Sequence, residues 1–226
     1  MGVTSQELSG AVTAPEKRIC DVGGAFACAN VSVRIYDDLV PHGLFSRLVG
    51  LLAWVPMYCL KRTERDAAAH PLDLYWYYPV LTVNDRYIDD AEPSLEELPE
   101  NMFPVRELWG VVRGLVGSAV RLYEIEYTAN AFGTEGHPHY DSPRETLRST
   151  HVTAIVYCNE EWRPEWAGET AVFDDRQDIH RAVIPKPGRI CLIFGDPLHA
   201  ARGIARICPH PRRVLVFKMW LSPQQQ

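Results

Sequence analysis

The residues best suited to chemistry lie in one short run, GHPHYD, from Gly136 to Asp141, and in a histidine far beyond it, His199. Successive side chains of an extended strand point to opposite faces, so residues two apart share a face. His139 and Asp141 then converge on one side of one strand. A later strand that brings His199 to the same place completes a set of two imidazoles and one carboxylate. Such a set covers one face of an octahedral metal and leaves about half of the coordination sphere open. That suits a non-heme ferrous centre, where an oxidisable co-substrate and oxygen must bind side by side. An HxD pair alone arises easily by chance, so its weight depends on the elements that carry it.

Residues 1–30 show no sustained period and are expected to form an N-terminal arm, with residues 31–223 as a single domain. Within that domain 31–119 reads as strand and helix support and 120–223 as the core. VSVRIYDD, from Val31, alternates as a half-buried strand should. Pro41 opens an amphipathic helix with Leu44, Phe45, Leu48, Val49, Leu51 and Leu52 on one face. YWYYPVLTV, Tyr75 to Val83, is aromatic and β-branched and reads as a strand in spite of Pro79. Glu107 to Val116 reads as a second helix, weakened by Gly110 and Gly114 at about 1 kcal/mol each relative to Ala.

From Val120 onward one strand follows another. VRLYEIEYTANAF puts Leu122, Glu124, Glu126 and Thr128 on one face and Tyr123, Ile125, Tyr127 and Ala129 on the other. HVTAIVYCN, GETAVFDD, RICLIFGD and RRVLVFKMW continue the series, and KPGR sets Pro187 and Gly188 where a type II turn needs them. Short strands with turns at regular spacing predict a β-sandwich or barrel with helices packed outside.

The bulk properties narrow the partners. A formal net charge of -6 offers no basic excess for a nucleic-acid backbone, so no nucleic-acid partner is expected. The apolar run from Leu48 to Leu60 is too short for a bilayer, is flanked by Arg47 and is interrupted by Pro56, so no membrane partner is expected either. The start, MGVTSQELSG, is polar where a secretory leader would be apolar, and Gln6 breaks the myristoylation pattern. The six cysteines form no CxxC pair and read as reduced thiols. A cytoplasmic location is the expectation.

Taken in order, YTANAFGTEGHPHYDS, HVTAIVYCNEEW, WAGETAVF, PGRICLIFGDPLHAARG and RRVLVFK make the chain resemble the prolyl-hydroxylase-like branch of the 2-oxoglutarate- and Fe(II)-dependent oxygenases. The resemblance runs from Tyr123 to Trp220, and more faintly over Val31 to Leu52. It implies a mainly β fold with flanking helices around a double-stranded β-helix core, of jelly-roll or cupin-like type. It implies His139, Asp141 and His199 as the iron ligands and catalytic centre, with Asn130, Tyr127, Thr153 and Tyr157 at positions that line the co-substrate pocket. It also implies a basic residue on the last core strand that grips the far carboxylate of 2-oxoglutarate, a task matched to the planar fork of an arginine. Arg213 shares a face with Leu215, Phe217 and Met219, whereas Arg212 shares one with Val214, Val216 and Lys218. A lysine is expected to point outward, which favours Arg213.

The implied cofactors are Fe(II), 2-oxoglutarate and oxygen, with ascorbate as a stimulant. Halogenating relatives place a small residue where Asp141 stands, so hydroxylation or another oxidation begun by hydrogen abstraction is expected, with release of succinate and CO2. A small-molecule substrate is expected. The alternatives are a prolyl or other side chain of a peptide or protein, or a cupin-like metal protein without oxidative chemistry. His137 reads as a rim group and His151 as a strand surface residue. Arg202 is a candidate frame for a substrate acid group. Trp54, Trp76 and Trp109 read as packing residues, and the Trp162–Trp166 loop reads equally as a lid or as a hydrophobic plug.

Overall fold

The computed structural model describes residues 20–21, 32–61, 74–82, 95, 98–134, 136–142 and 144–221. Most of the arm expected over residues 1–30 lies outside that set. Its one described piece is a two-residue strand, β1 (Cys20–Asp21), paired with β2 (Ser32–Tyr36). The helix α1 (His42–Leu52) follows, then β3 (Tyr58–Lys61), β4 (Leu74–Thr82) and α2 (Phe103–Val116). The core strands are β5 (Val120–Asn130), β6 (His151–Tyr157), β7 (Thr170–Phe173), β8 (Ile179–Val183), β9 (Ile190–Phe194), β10 (His199–Ala201) and β11 (Arg212–Leu221).

The larger sheet is antiparallel, in the order β1-β2-β9-β6-β11-β5-β4-β3, and the smaller is β10-β7-β8. A further extended segment joins the smaller sheet beside β10. His139 and His199 exchange both backbone hydrogen bonds, at 2.9 and 3.0 Å, and the Gly136 N–H donates to the Ala201 carbonyl. The two sheets thus form the expected double-stranded β-helix.

One face of the larger sheet is covered by the helices. Leu44, Leu48 and Leu52 recur at helical spacing along α1, and Val105, Leu108, Trp109 and Val112 along α2. They close over Ile125, Tyr127, Leu215, Phe217 and Met219, with the Trp109 ring stacked 5.9 Å from Phe217. Gly117, with φ +114, ends α2 in a conformation that side chains rarely adopt. A smaller apolar group between the sheets includes Val33, Ile155, Val172, Val183, Ile193 and Val214. The predicted KPGR turn is present, with Gly188 at φ +66. Asp37 and Arg189 form a bidentate pair at 2.7 and 2.8 Å that ties the end of β2 to the start of β9.

Four sequence expectations change here. The alternation of β5 breaks at Tyr123–Glu124, where Lys218 opposes Glu124 but Met219 opposes Leu122. Two β5 residues then face one interval of β11, so Leu122 turns into the helix-side core instead of sharing the face of Glu124. His151 is not a surface residue but is 0% exposed. Trp109 packs as expected, while Trp54 and Trp76 are exposed. Of the two readings of the tryptophan loop, the plug fits. Trp166 is buried, Trp162 donates to the Ala167 carbonyl and abuts Gly168, and neither ring lines the site described below. Cys59, Cys158, Cys191 and Cys208 are free thiols, two of them buried.

Candidate metal centre

His139, Asp141 and His199 come together as the HxD spacing predicts, with one donor atom from each lying within 4.8 Å of the others. Asp141 Oδ1 is 3.7 Å from His139 Nε2, and Oδ2 is 3.3 Å from His199 Nε2. Both imidazoles are held alike. The Nδ1 of each lies 2.9 Å from the carbonyl two residues earlier, His137 for His139 and Pro197 for His199. A carbonyl can only accept, so each Nδ1 carries the proton and each Nε2 presents its lone pair to the centre. Hydrogen bonds of this kind fix the tautomer and ring orientation of metal-binding histidines. The donor set, its burial and its tautomers fit a ferrous ion.

The carboxylate is equally constrained. Thr153 donates to Asp141 Oδ2 at 2.6 Å. Behind it, the buried Asp196 carboxylate accepts the backbone N–H groups of Asp141 at 2.7 Å and of Ser142 at 2.9 Å. Asp196 itself sits at φ +45 in the turn between β9 and β10, so one short turn precedes His199 and also anchors the HxD segment. His151 stands 4.0 Å from Asp196 and shares a 2.8 Å hydrogen bond with the Tyr123 hydroxyl. Burial lowers His151 to about 4, so it is neutral at pH 7. Burial alone would raise the Asp141 carboxyl, but Lys218 and His199 outweigh it and hold the group well below the usual carboxylate range.

The triad lines a cavity of about 360 Å³ between the sheets, whose walls include Asn130, Thr153, Thr170, Arg212 and Lys218. Asn130 and Thr153, expected to line a co-substrate pocket, are on this cavity wall. Arg213 and Tyr127 are not. Both lie on the helix side of the sheet, and Tyr127 packs in the core there. Arg212 is the arginine that faces the cavity, because Lys218, on the same strand face, points inward and not to solvent. Lys218 is paired there with Glu124 at 3.1 Å and with Glu126, and it lies 3.6 Å from Asp141. Two inward carboxylates opposite it make burial of the ammonium tolerable, and they hold its proton more tightly than usual in spite of the desolvation. Arg202 is exposed and is not part of the cavity wall.

Arg212 is only 3% exposed. Its Nη2 donates to Thr170 Oγ1 at 2.7 Å, and the Thr170 hydroxyl also meets the Tyr157 hydroxyl at 2.7 Å. Its Nε has no hydrogen-bond partner, and among the described residues no carboxylate pairs with it. A buried guanidinium without a counter-ion on a cavity wall calls for an anion, and a carboxylate of 2-oxoglutarate fits that need.

Sequence reasoning missed Asp196, His151 and the Glu124–Glu126–Lys218 cluster. The signal for the cluster was present: EIE on one strand and a lysine on the next to pair with it would place opposite charges across from one another.

Solved structures share the fold. A prolyl hydroxylase from Trichoplax adhaerens, in complex with a hypoxia inducible factor peptide fragment, superimposes with a TM-score of 0.60 at 11% identity, over 84% of this chain and 83% of that one. A 2OG-Fe(II) oxygenase family oxidoreductase from Burkholderia pseudomallei gives 0.60 at 13% identity, over 83% and 84%. HygX from Streptomyces hygroscopicus, with nickel and 2-oxoglutarate bound, gives 0.56 at 12% identity, over 84% and 83%. No curated protein matches the sequence. Residues 125–221 match the 2OG-Fe(II) oxygenase superfamily, and this stretch contains the triad, Thr153, Asn130 and Arg212. Residues 125–221, which supply most of the cavity wall, are thus similar to the oxygenases that use iron and 2-oxoglutarate.

Proposed function

We propose that the protein is a 2-oxoglutarate-dependent dioxygenase that oxidises a small molecule by hydrogen abstraction, most simply to an alcohol. The observation that carries this reading is the pairing, in one cavity, of a His–Asp–His triad with a buried arginine that has no counter-ion among the described residues. His139, Asp141 and His199 would hold the iron through Nε2, a carboxylate oxygen and Nε2. Arg212, steadied by Thr170, would hold the far carboxylate of the co-substrate. Bound iron supplies oxygen activation, coupled to decarboxylation of 2-oxoglutarate, with one oxygen atom going to succinate and the other to the substrate.

The chain's own groups supply position and exclusion. Thr153, Lys218 and the Asp196 turn hold the Asp141 carboxylate ionised and aimed. The apolar side chains of Ile155, Val214 and Val216 line the walls and limit water. Because Asp141 fills the carboxylate position of the triad, oxidation at carbon is favoured over halide transfer. The size of the cavity, about 360 Å³, supports a small substrate. The same fold binds a peptide in the prolyl hydroxylase and hygromycin B in HygX, so fold alone does not choose between the two kinds of ligand. The free thiols suit a reducing compartment such as the cytoplasm, and among the described residues no helix is long and apolar enough to cross a membrane.

The test is succinate release from 2-oxoglutarate with ferrous iron, screened with amino acids and proline-containing peptides as stimulants. A His139→Ala, Asp141→Ala double variant is expected to lose both iron binding and succinate release. Retention of both would overturn the assignment.

A further inference from the structure

The cavity carries an excess of negative charge on the strand positions away from Arg212. Lys218 lies six residues from Arg212 on β11, roughly 20 Å along an extended strand. Around its ammonium stand three carboxylates: Glu124 at 3.1 Å, Asp141 at 3.6 Å and Glu126 in direct contact. A metal held by the triad would take up the charge of Asp141. Two carboxylates are then left to one ammonium, in a region where Glu124 is 1% and Lys218 7% exposed. Among the described residues, Arg212 and Lys218 are the only Lys or Arg side chains on the cavity wall. Burial, opposed by Lys218 and reinforced by Glu124, raises the Glu126 carboxyl to about 7, so near neutrality it takes up a proton that a bound cation would displace.

Of the two glutamates it is Glu126 that lines the cavity. Tyr75 and Tyr77 of β4 line it as well, with their rings edge to face at 6.1 Å, and Tyr77 pairs with Thr128, two residues from Glu126 on the same face of β5. A carboxylate beside aromatic rings is a setting that favours an organic cation. An anionic substrate would meet like charges there instead. We infer that the substrate carries a protonated amine, which docks on Glu126 alongside Tyr77, so that the carbon oxidised lies close to a basic nitrogen. This rests on the oxygenase reading above and narrows its substrate class.

The experiment measures binding without turnover. Butylamine, N-butylacetamide and butyrate are titrated into zinc-loaded protein with 2-oxoglutarate and followed by ligand-observed NMR. Butylamine is expected to bind at least tenfold more tightly than the other two, and Glu126→Gln, with its fold checked by circular dichroism, to reduce that preference to within twofold. Should Glu126→Gln fail to fold, Lys218→Met keeps both glutamates and removes the competing ammonium, and is expected to bind butylamine several-fold more tightly than the parent. Equal binding of the three probes, preference for butyrate, an unchanged preference in Glu126→Gln or a weaker one in Lys218→Met overturns the proposal. Succinate release measured in parallel separates the two readings. Amine preference without 2-oxoglutarate consumption retains the cation site and removes the oxygenase. Consumption without amine preference does the reverse.

Discussion

Two adjacent arginines at the start of β11 divide the work of the strand. Arg212 enters the cavity with no counter-ion among the described residues, and Arg213 lies on the helix side of the sheet. A hydrogen bond to a charged group contributes about 1.5–3 kcal/mol, so Arg212→Ala should weaken 2-oxoglutarate binding to zinc-loaded protein by roughly 10- to 100-fold. Arg213→Ala should leave it within about twofold, since that side chain touches neither ligand nor cavity. Calorimetric titration decides, and an equal loss in both variants would remove Arg212 from the role. His151 gives a second test at this scale. Its proton affinity falls from 6.5 to about 4 on folding, so between those values the unfolded chain binds a proton that the folded one does not. Stability is therefore lost as pH falls from 6.5 towards 4, by roughly 3 kcal/mol at about 1.4 kcal/mol per pH unit. The stabilities of the parent and His151→Gln, from denaturant unfolding, should diverge by this amount across that window. Parallel curves would show that His151 is not the group responsible.

The elements explain why some of these assignments were legible in the sequence and others were not. HxD spacing needs only the two-residue period of extended backbone, and an extended segment bridged to β10 carries it. The two faces of β11 were equally legible, but not which of them looks inward. That depended on Glu124 and Glu126 of β5, which convert a lysine expected in solvent into a buried, paired one. His151 was misplaced for a similar reason, since its hydrogen-bond partner in the interior, Tyr123, lies on another strand. The bulge at Tyr123–Glu124 left no mark that alternation alone could reveal. The turn after β9 has the greatest reach of these elements, because Asp196 fixes the backbone at Asp141 while the same turn leads into His199. Asp196→Ala should weaken zinc or iron affinity by about 10- to 100-fold, in line with other groups that orient metal ligands. Asp196→Asn, which keeps one acceptor oxygen, should lose less. Competition with a chelator measures both, and unchanged affinity in Asp196→Ala would show that the HxD segment holds its shape unaided.

Across the whole molecule, the helices and the larger sheet form a rigid backing, and the ligands sit where the smaller sheet meets it. Metal and co-substrate bind only the folded chain, so each at a hundredfold its Kd should add about 2.7 kcal/mol of stability. For a chain of this size that corresponds to a rise in Tm of roughly 5–10 °C for either one, read by differential scanning. No rise with ferrous iron would contradict the assignment of the centre. The paired backbones of His139 and His199 give this coupling a particular form. The two histidines are distant in sequence yet face each other across a single hydrogen-bonded rung, so an ion held by both rings staples the outermost strand of the smaller sheet to its neighbour. The donor set does not exist until that long-range rung has closed, so metal capture belongs to the last stage of folding. Removing the ion should then loosen that edge first, with amide exchange accelerating at His139 and His199 while the helix-backed strands stay protected.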